Sequence, residues 1–266
     1  MLNEEMHRAI RLVVDVGIHA KGWTREQAIE YSHKHEARSE ADVITEIERY
    51  MVIPGQALSY KIGQLKILEL KEKAEKELGG NFDIREFHTQ VLNSGSIPLI
   101  LLEEKINRWI KITLADALID AFYSFDAEHL MQALSNAPGS RPALLFYQKW
   151  AECGNYVVID RHESYFKNDT LIICPVTVKD DLIGTLNIDF NVTDTFHISF
   201  QKGQIRSVST SSNDPDLYYE AKEWVKQNRP DVITGPCEGI WEGGPSPCEC
   251  VRAMVQGFSE FMKAKK

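Results

Sequence analysis

The sequence contains no apolar run long enough to cross a membrane as a helix. Its longest, Ile97-Pro98-Leu99-Ile100-Leu101-Leu102, falls far short of the ~20 residues that a span requires. Basic charge is scarce: 30 Lys and Arg stand against 39 Asp and Glu, for a net charge of −9. That balance argues against a nucleic-acid partner, which needs a basic face to displace phosphate counterions. The opening residues, Met1-Leu2-Asn3-Glu4-Glu5, hold neither the basic segment nor the apolar stretch of a secretory leader, so a cytoplasmic protein is expected. No cysteine precedes Cys153, and no Cys-x-x-Cys pair occurs anywhere. Neither Gly nor Pro lies between Leu99 and Asn136, which excludes a flexible linker there and predicts one helix over roughly Leu101–Phe125.

What is present is ordinary for a soluble globular chain: 266 residues, 43% hydrophobic and 26% charged. Periodicity divides it near residue 110. In the first part Met6, Ile10, Val13, Val14 and Ile18 recur at three- and four-residue steps, one face of a helix that Gly22 stops. Thr24-Arg25-Glu26-Gln27 is a capping box for a second helix, and Ser39-Glu40-Ala41-Asp42 opens a third. Pro54 begins a long fourth helix ended by Gly79-Gly80, Asp83 caps a fifth, and a sixth starts near Pro98. Residues 1–110 therefore read as all-α.

Beyond residue 110 helical patterns cover about 101–123, 126–134 and 142–153. Strand-like runs follow at Tyr156–Tyr165, Leu171–Val178, Leu182–Phe190, Thr195–Phe200 and Ile205–Ser211. Lys202-Gly203 reads as a hairpin turn. In that hairpin Phe196, Ile198 and Phe200 face one side, and Thr195, His197 and Ser199 the other. Asp214-Pro215 and Ser246-Pro247-Cys248-Glu249 start two further helices. The expected fold is an all-α segment over 1–110, followed over 111–266 by an α+β cone, with helices on a curved antiparallel sheet.

The runs Arg11–Ala28, Pro54–Gly63 and Phe82–His88, continuing to Trp109-Ile110, resemble the carboxy-terminal region of the bacterial "domain of unknown function 885" family. Full-length members resemble helical zinc metallopeptidases of the gluzincin type. The resemblance implies a metal on a His-Glu-Ala-x-Pro-Gly-His-His segment, with a further Glu, upstream of the matched region. A catalytic zinc needs three protein ligands and an open position for water. His33-Lys34-His35-Glu36-Ala37 does not replace them, because Ser39 stands where the second His of His-Glu-x-x-His belongs. No metal site and no cofactor are expected, and the chain is not expected to be an autonomous zinc peptidase. Arg11, Asp15, His19 and Tyr60 fall in the matched segments and could line the family's cleft; their structural alternative is a buried His, a packing Tyr and an ion pair.

Residues 112–265 resemble the nuclear transport factor 2-like superfamily in its SnoaL-like branch. The resemblance is carried by Ala117–Leu130, a helix ending at Trp150, and the hairpin Phe196–Ile205. It implies a cone with a pocket, in a superfamily of isomerases, cyclases and hydrolases but also of non-catalytic binding modules. Tyr147, Trp150, Arg161 and His162 are candidate pocket residues, and Asp189 and His197 are the candidate acid–base groups. Cys237, Cys248 and Cys250 are expected to be reduced structural thiols, with a reactive role or a metal as alternatives.

Three functional expectations result. The first is a metallopeptidase-like remnant joined to a domain that binds a small molecule and helps the chain form a homo-oligomer, with no nucleic-acid or membrane partner. The second is a metal-independent isomerase, lyase or hydrolase acting through Asp189 or His197. The third is a piece of a zinc hydrolase whose metal half lies upstream. An incomplete helical part would expose Ile10, Val13 and Val14, and with them a surface for a dimer or a missing partner.

Overall fold

The computed structural model describes residues 2–240 and 247–266, and the chain separates into two compact units. The first comprises residues 1–76 and 83–106; the second comprises 77–82 and 107–266.

The first unit is helical throughout: α1 (Leu2–Lys21), α2 (Arg25–His35), α3 (Glu40–Val52), α4 (Gln56–Leu78), α5 (Ile84–Leu92) and the beginning of α6 (Leu99–Tyr123). Local chemistry sets these ends. The Thr24 hydroxyl accepts the Gln27 amide at 3.2 Å, and the Gln27 side chain accepts the Thr24 amide at 2.9 Å, which completes the capping box. Ser39 and Asp83 accept the Asp42 and Arg85 amides in the same manner. The long fourth helix begins two residues after Pro54, because Gly55 takes a φ of +81°. Ile10, Val14, Ala28, Val43, Ile47, Tyr50 and Ala57 form the core of this unit. Ile10 and Val14 are thus buried, against the expectation that the whole face of α1 would be open. Val13 remains exposed, and so does a row on α4, Ile62, Leu65 and Leu68.

In the second unit α6 continues into α7 (Ala127–Ala133) and α8 (Arg141–Cys153), followed by β1 (Val157–Arg161), β2 (Tyr165–Asn168) and β3 (Leu171–Lys179). A short α9 (Asp181–Thr185) leads to β4 (Val192–Gln201) and β5 (Gln204–Ser212), and α10 (Asp216–Asn228), α11 (Pro230–Ile233) and α12 (Pro247–Ala264) complete the unit. The sheet is antiparallel in the order β1-β3-β4-β5, with β2 also paired to β3. This is the expected helical segment followed by an open sheet with helices packed against it. Lys202 and Gly203, both at positive φ, make the turn between β4 and β5. Alternation puts Val176, Val178, Phe196, Ile198 and Val208 on the covered face, while Thr195, His197, Ser199 and Ser209 occupy the other.

Two expectations are corrected here. The run Leu182–Phe190 is not a strand but the helical turn α9 and a bend. The Asp180 side chain accepts the Ile183 amide at 2.9 Å and so caps a helix, and Leu182, Ile183 and Leu186 bury themselves at helical spacing. The run Tyr156–Tyr165 is likewise divided between β1 and β2. The second correction concerns the cysteines: Cys153 at the end of α8 is bonded to Cys248 on α12, and Cys237 to Cys250, leaving Cys174 as a buried free thiol. Spacing alone does not disclose such pairing, because Cys153 lies 95 residues from its partner. The capping role expected of Ser246, with the turn Gly243-Gly244-Pro245, lies outside the described residues.

Helix α12 packs on α8, α9 and α10. At its crossing with α10 a methyl group on Gly257 would stand 2.7 Å from a Val225 methyl, with Val225 itself fully buried. Gly257→Ala is therefore expected to lower stability by about 1–3 kcal/mol in denaturant titration; an unchanged midpoint would contradict this close crossing. Chain made under oxidising conditions and unfolded without reductant should expose one titratable thiol, Cys174. Five thiols in that assay would refute the pairing.

Candidate functional site

The second unit encloses a cavity of about 330 Å³ between the covered face of the sheet and its helices. Helix α6 supplies Phe122, α8 supplies Phe146, Tyr147 and Trp150, and α10 supplies Tyr218, Tyr219 and Lys222. Tyr156 enters from the connection between α8 and β1, and Leu182 and Ile183 from α9. The sheet contributes Asp194 and Phe196 from β4 and Thr210, Ser211 and Ser212 from β5. Asp180, between β3 and α9, and Asp214, before α10, complete the polar lining. Phe122 and Phe196 meet edge to face, with ring centroids 5.1 Å apart, and fix one wall.

The carboxylates differ in their partners. Asp194 accepts the Tyr123 hydroxyl at 3.2 Å and also the Ser212 hydroxyl. Asp214 accepts the Tyr219 hydroxyl at 3.4 Å. Asp180 is only 8% exposed, and its Oδ1 is spent on the α9 cap while its Oδ2 is buried without a hydrogen-bond partner. Burial raises the pKa of all three, and in Asp180, helped by repulsion from Asp194 and Asp214, it pushes the carboxyl up to about 6. Lys222 acts in the opposite sense on Asp214. Tyr156 and Tyr218 are held protonated by burial and by these same carboxylates, so they act as hydroxyl donors rather than bases. Chemically, the cavity offers an apolar aromatic enclosure with one carboxyl whose charge state is balanced near neutrality.

Of the residues singled out in the sequence, Tyr147 and Trp150 line this cavity, and Tyr147, 41% exposed, stands at its rim. The other four lie elsewhere. Arg161, at the end of β1, pairs with Asp116 and Asp120 of α6. His162 shares a 2.8 Å contact with the Thr177 hydroxyl and lies 3.2 Å from the Asp160 carboxylate. Asp189 is exposed in the bend before β4, a consequence of α9 replacing the expected strand. His197 faces away from Asp194 and Phe196 on β4, where it meets the Ser211 hydroxyl at 3.0 Å. Sequence reasoning missed Asp180, Asp194 and Asp214. A signal existed for Asp194, which shares the β4 parity of Phe196 and Ile198, and for Asp180, a capping residue three before Ile183.

In the first unit the four candidate cleft residues are engaged in packing. The buried Asp15 carboxylate accepts the Gly55 amide at 3.1 Å, which anchors the turn into α4. Arg11 donates to Gln56 Oε1 at 3.0 Å, and its guanidinium lies 5.2 and 4.5 Å from the Tyr50 and Tyr60 ring centres. His19 Nε2 meets the Tyr50 carbonyl at 2.9 Å. The residues around Arg11 enclose no open volume. His35, from the motif that mimics a zinc signature, bonds its own helix at the Tyr31 carbonyl. Among the described residues no three His, Cys, Asp or Glu converge to hold a metal ion, so the zinc of the metallopeptidase resemblance does not fit the residues present.

Comparison with known proteins matches part of the chain. Residues 1–106 match the family model described as "Bacterial protein of unknown function (DUF885)". No curated protein matches the chain. A solved structure described as "The crystal structure of the putative lipoprotein from Colwellia psychrerythraea" is 54% identical over 41% of this chain, with a TM-score of 0.40. The aligned part is 18% of that chain, so the present sequence spans under a fifth of its length.

The state of Asp180 has a measurable consequence. An aspartyl group raised from 3.8 to about 6 binds its proton more tightly in the fold than in the unfolded chain. Its contribution thus favours folding at low pH and is lost as pH rises through about 6. Asp180→Asn keeps the helix cap and removes the charge. It should be more stable than the parent by about 2–3 kcal/mol at pH 8, with the difference vanishing by pH 4 in denaturant titrations. Equal stability of the two proteins at pH 8 would contradict the burial of this charge.

Proposed function

We propose that the second unit is a small-molecule-binding module whose ligand occupies the aromatic cavity and is held by Asp180. The observation that carries the reading is the buried Asp180 Oδ2, without a partner, at the edge of a space of about 330 Å³. A buried polar oxygen without a partner costs about 1–3 kcal/mol, and a ligand donor would recover it. The resemblance to the SnoaL-like branch supports the same reading, since a pocket between helices and a curved sheet is what that branch implies.

A second reading is catalytic and is favoured by the charge state of Asp180. A carboxyl near pH 6 exchanges a proton readily under physiological conditions, as a general acid or base must. In this reading isomerase, lyase or hydrolase chemistry runs through Asp180, with Tyr156 and Tyr218 as hydroxyl donors, rather than through Asp189 or His197.

The helical unit is read as a scaffold related to a larger helical family, with Arg11, Asp15 and His19 retained for packing. The third expectation, a piece of a zinc hydrolase, places its metal ligands upstream of this sequence and does not draw on the donor set present. The two cystines favour an oxidising compartment over the cytoplasm expected from the sequence.

Soaking crystals of the full chain with a fragment library tests the binding reading. Fragments are expected in this cavity with a donor within hydrogen-bond distance of Asp180, and Asp180→Asn and Trp150→Ala should each lose them. Fragments scattered over the surface, with the cavity empty, would overturn it. Turnover of a small-molecule panel that is abolished in Asp180→Asn but kept in Asp189→Asn and His197→Ala would select the catalytic reading.

A further inference from the structure

The charges around the cavity do not balance. Asp180, Asp194 and Asp214 contribute three carboxylates, and among the described residues Lys222 is the one cationic side chain in the lining. Lys222 acts on Asp214, which leaves the Asp180 and Asp194 end without a positive partner in that lining. The contacts that Asp194 does have there are hydroxyls, from Tyr123 and Ser212, and Asp180 Oδ2 has none. A buried anion without a countercharge is costly, and its natural complement is a cation brought in from outside.

The geometry also limits which cation. Among the described residues no three His, Cys, Asp or Glu converge to hold a metal ion, so the negative groups border a space rather than a point. Rings make up much of the remaining wall: Phe146, Tyr147 and Trp150 from α8, with Tyr156 and Tyr218. Aromatic faces stabilise a diffuse, weakly hydrated positive charge, best where the site is desolvated, and they gain little from a small hydrated ion. A carboxylate flanked by aromatic rings is the chemistry that recognises alkylated ammonium groups.

We infer that this cavity takes an organic ammonium, with its charged head against Asp180 and its hydrocarbon part among the rings of α8. The inference rests on the reading of the cavity as the ligand site and adds the charge class of the ligand. It also ties affinity to pH. The groups facing Asp180 are Asp194 from β4, Asp214 and Tyr218 at and before α10, Tyr156 from the α8–β1 connection, and Lys222 farther along α10. Burial, helped by repulsion from the two carboxylates, raises the Asp180 carboxyl to about 6, and only its ionised form pairs with a cation. Affinity for the cation should therefore rise with pH through about 6.

Three probes of one shape separate charge from fit: choline, its neutral carbon isostere 3,3-dimethylbutan-1-ol, and the anion 3,3-dimethylbutanoate. Calorimetric titration of the full chain at pH 8 should show choline binding about tenfold more tightly than the alcohol, with the anion weakest. Choline affinity should fall about tenfold at pH 5, and Asp180→Asn should erase both its advantage over the alcohol and the pH dependence. Binding of the alcohol as tight as that of choline, still lost in Trp150→Ala, would overturn the charge class while leaving the cavity as a ligand site. Absence of binding by all three probes would overturn both readings. A choline affinity that is unchanged in Asp180→Asn would refute the assigned position of the head group.

Discussion

The second unit is organised around a single divided carboxylate. One oxygen of Asp180 ends β3 by capping α9, and the other is buried without a hydrogen-bond partner in a residue that lines the cavity. The cap favours a helical turn after β3, and that turn buries Leu182, Ile183 and Leu186 in the core that holds Phe196 and packs against α12. The same residue therefore closes the core and leaves an uncompensated charge beside it. That arrangement has a free-energy cost, and a fold tolerates it where the remainder of the unit over-determines the geometry.

That over-determination comes from the carboxy-terminal helix. Helix α12 touches α8, α9 and α10, and two disulfides tie its first turn to α8 and to Cys237. Phe258 and Phe261 fill the interior with almost no exposure, and Gly257 allows the approach to Val225. The aromatic wall on α8 is thus fixed from behind, because Cys153 at the end of the same helix is covalently joined to α12. Rigid support behind a polar group is what lets a buried charge stay in place rather than relax toward water.

The helical unit was legible because its signals are local. Thr24, Ser39 and Asp83 each cap the helix that their sequence neighbours announce, and no distant residue is needed to read them. The β4–β5 hairpin was legible for the same reason, since Lys202-Gly203 and strict alternation define it. The site was harder, because its burial arises from segments that meet only in the fold. Asp180, Asp194 and Asp214 are far apart in environment along the chain and become neighbours through α9 and α10 closing over the sheet. Short apolar stretches such as Leu182–Phe190 carry the pattern of a strand and of a helix at once, and one capping carboxylate decided between them. Tyr147 and Trp150, expected as pocket residues from the SnoaL-like resemblance, line the cavity from α8.

The two units use polar residues in opposite ways, and that contrast bears on where function resides. Around Arg11 the guanidinium donates to Gln56 and lies over two tyrosine rings while its Nε stays buried without a partner, Asp15 holds the Gly55 amide, and the surrounding side chains leave no room for a water molecule. Such a network specifies a packing and has little capacity left for a ligand. Around Asp180 the polar groups repel, the hydroxyls are held protonated, and the space between them is kept open by rings. Replacing Asp180 by a neutral residue would improve the free fold, which means that folding itself supplies no reason for the charge to be there. On the proposed reading, the charge of Asp180 serves what enters the cavity, since an Asn could supply the same helix cap.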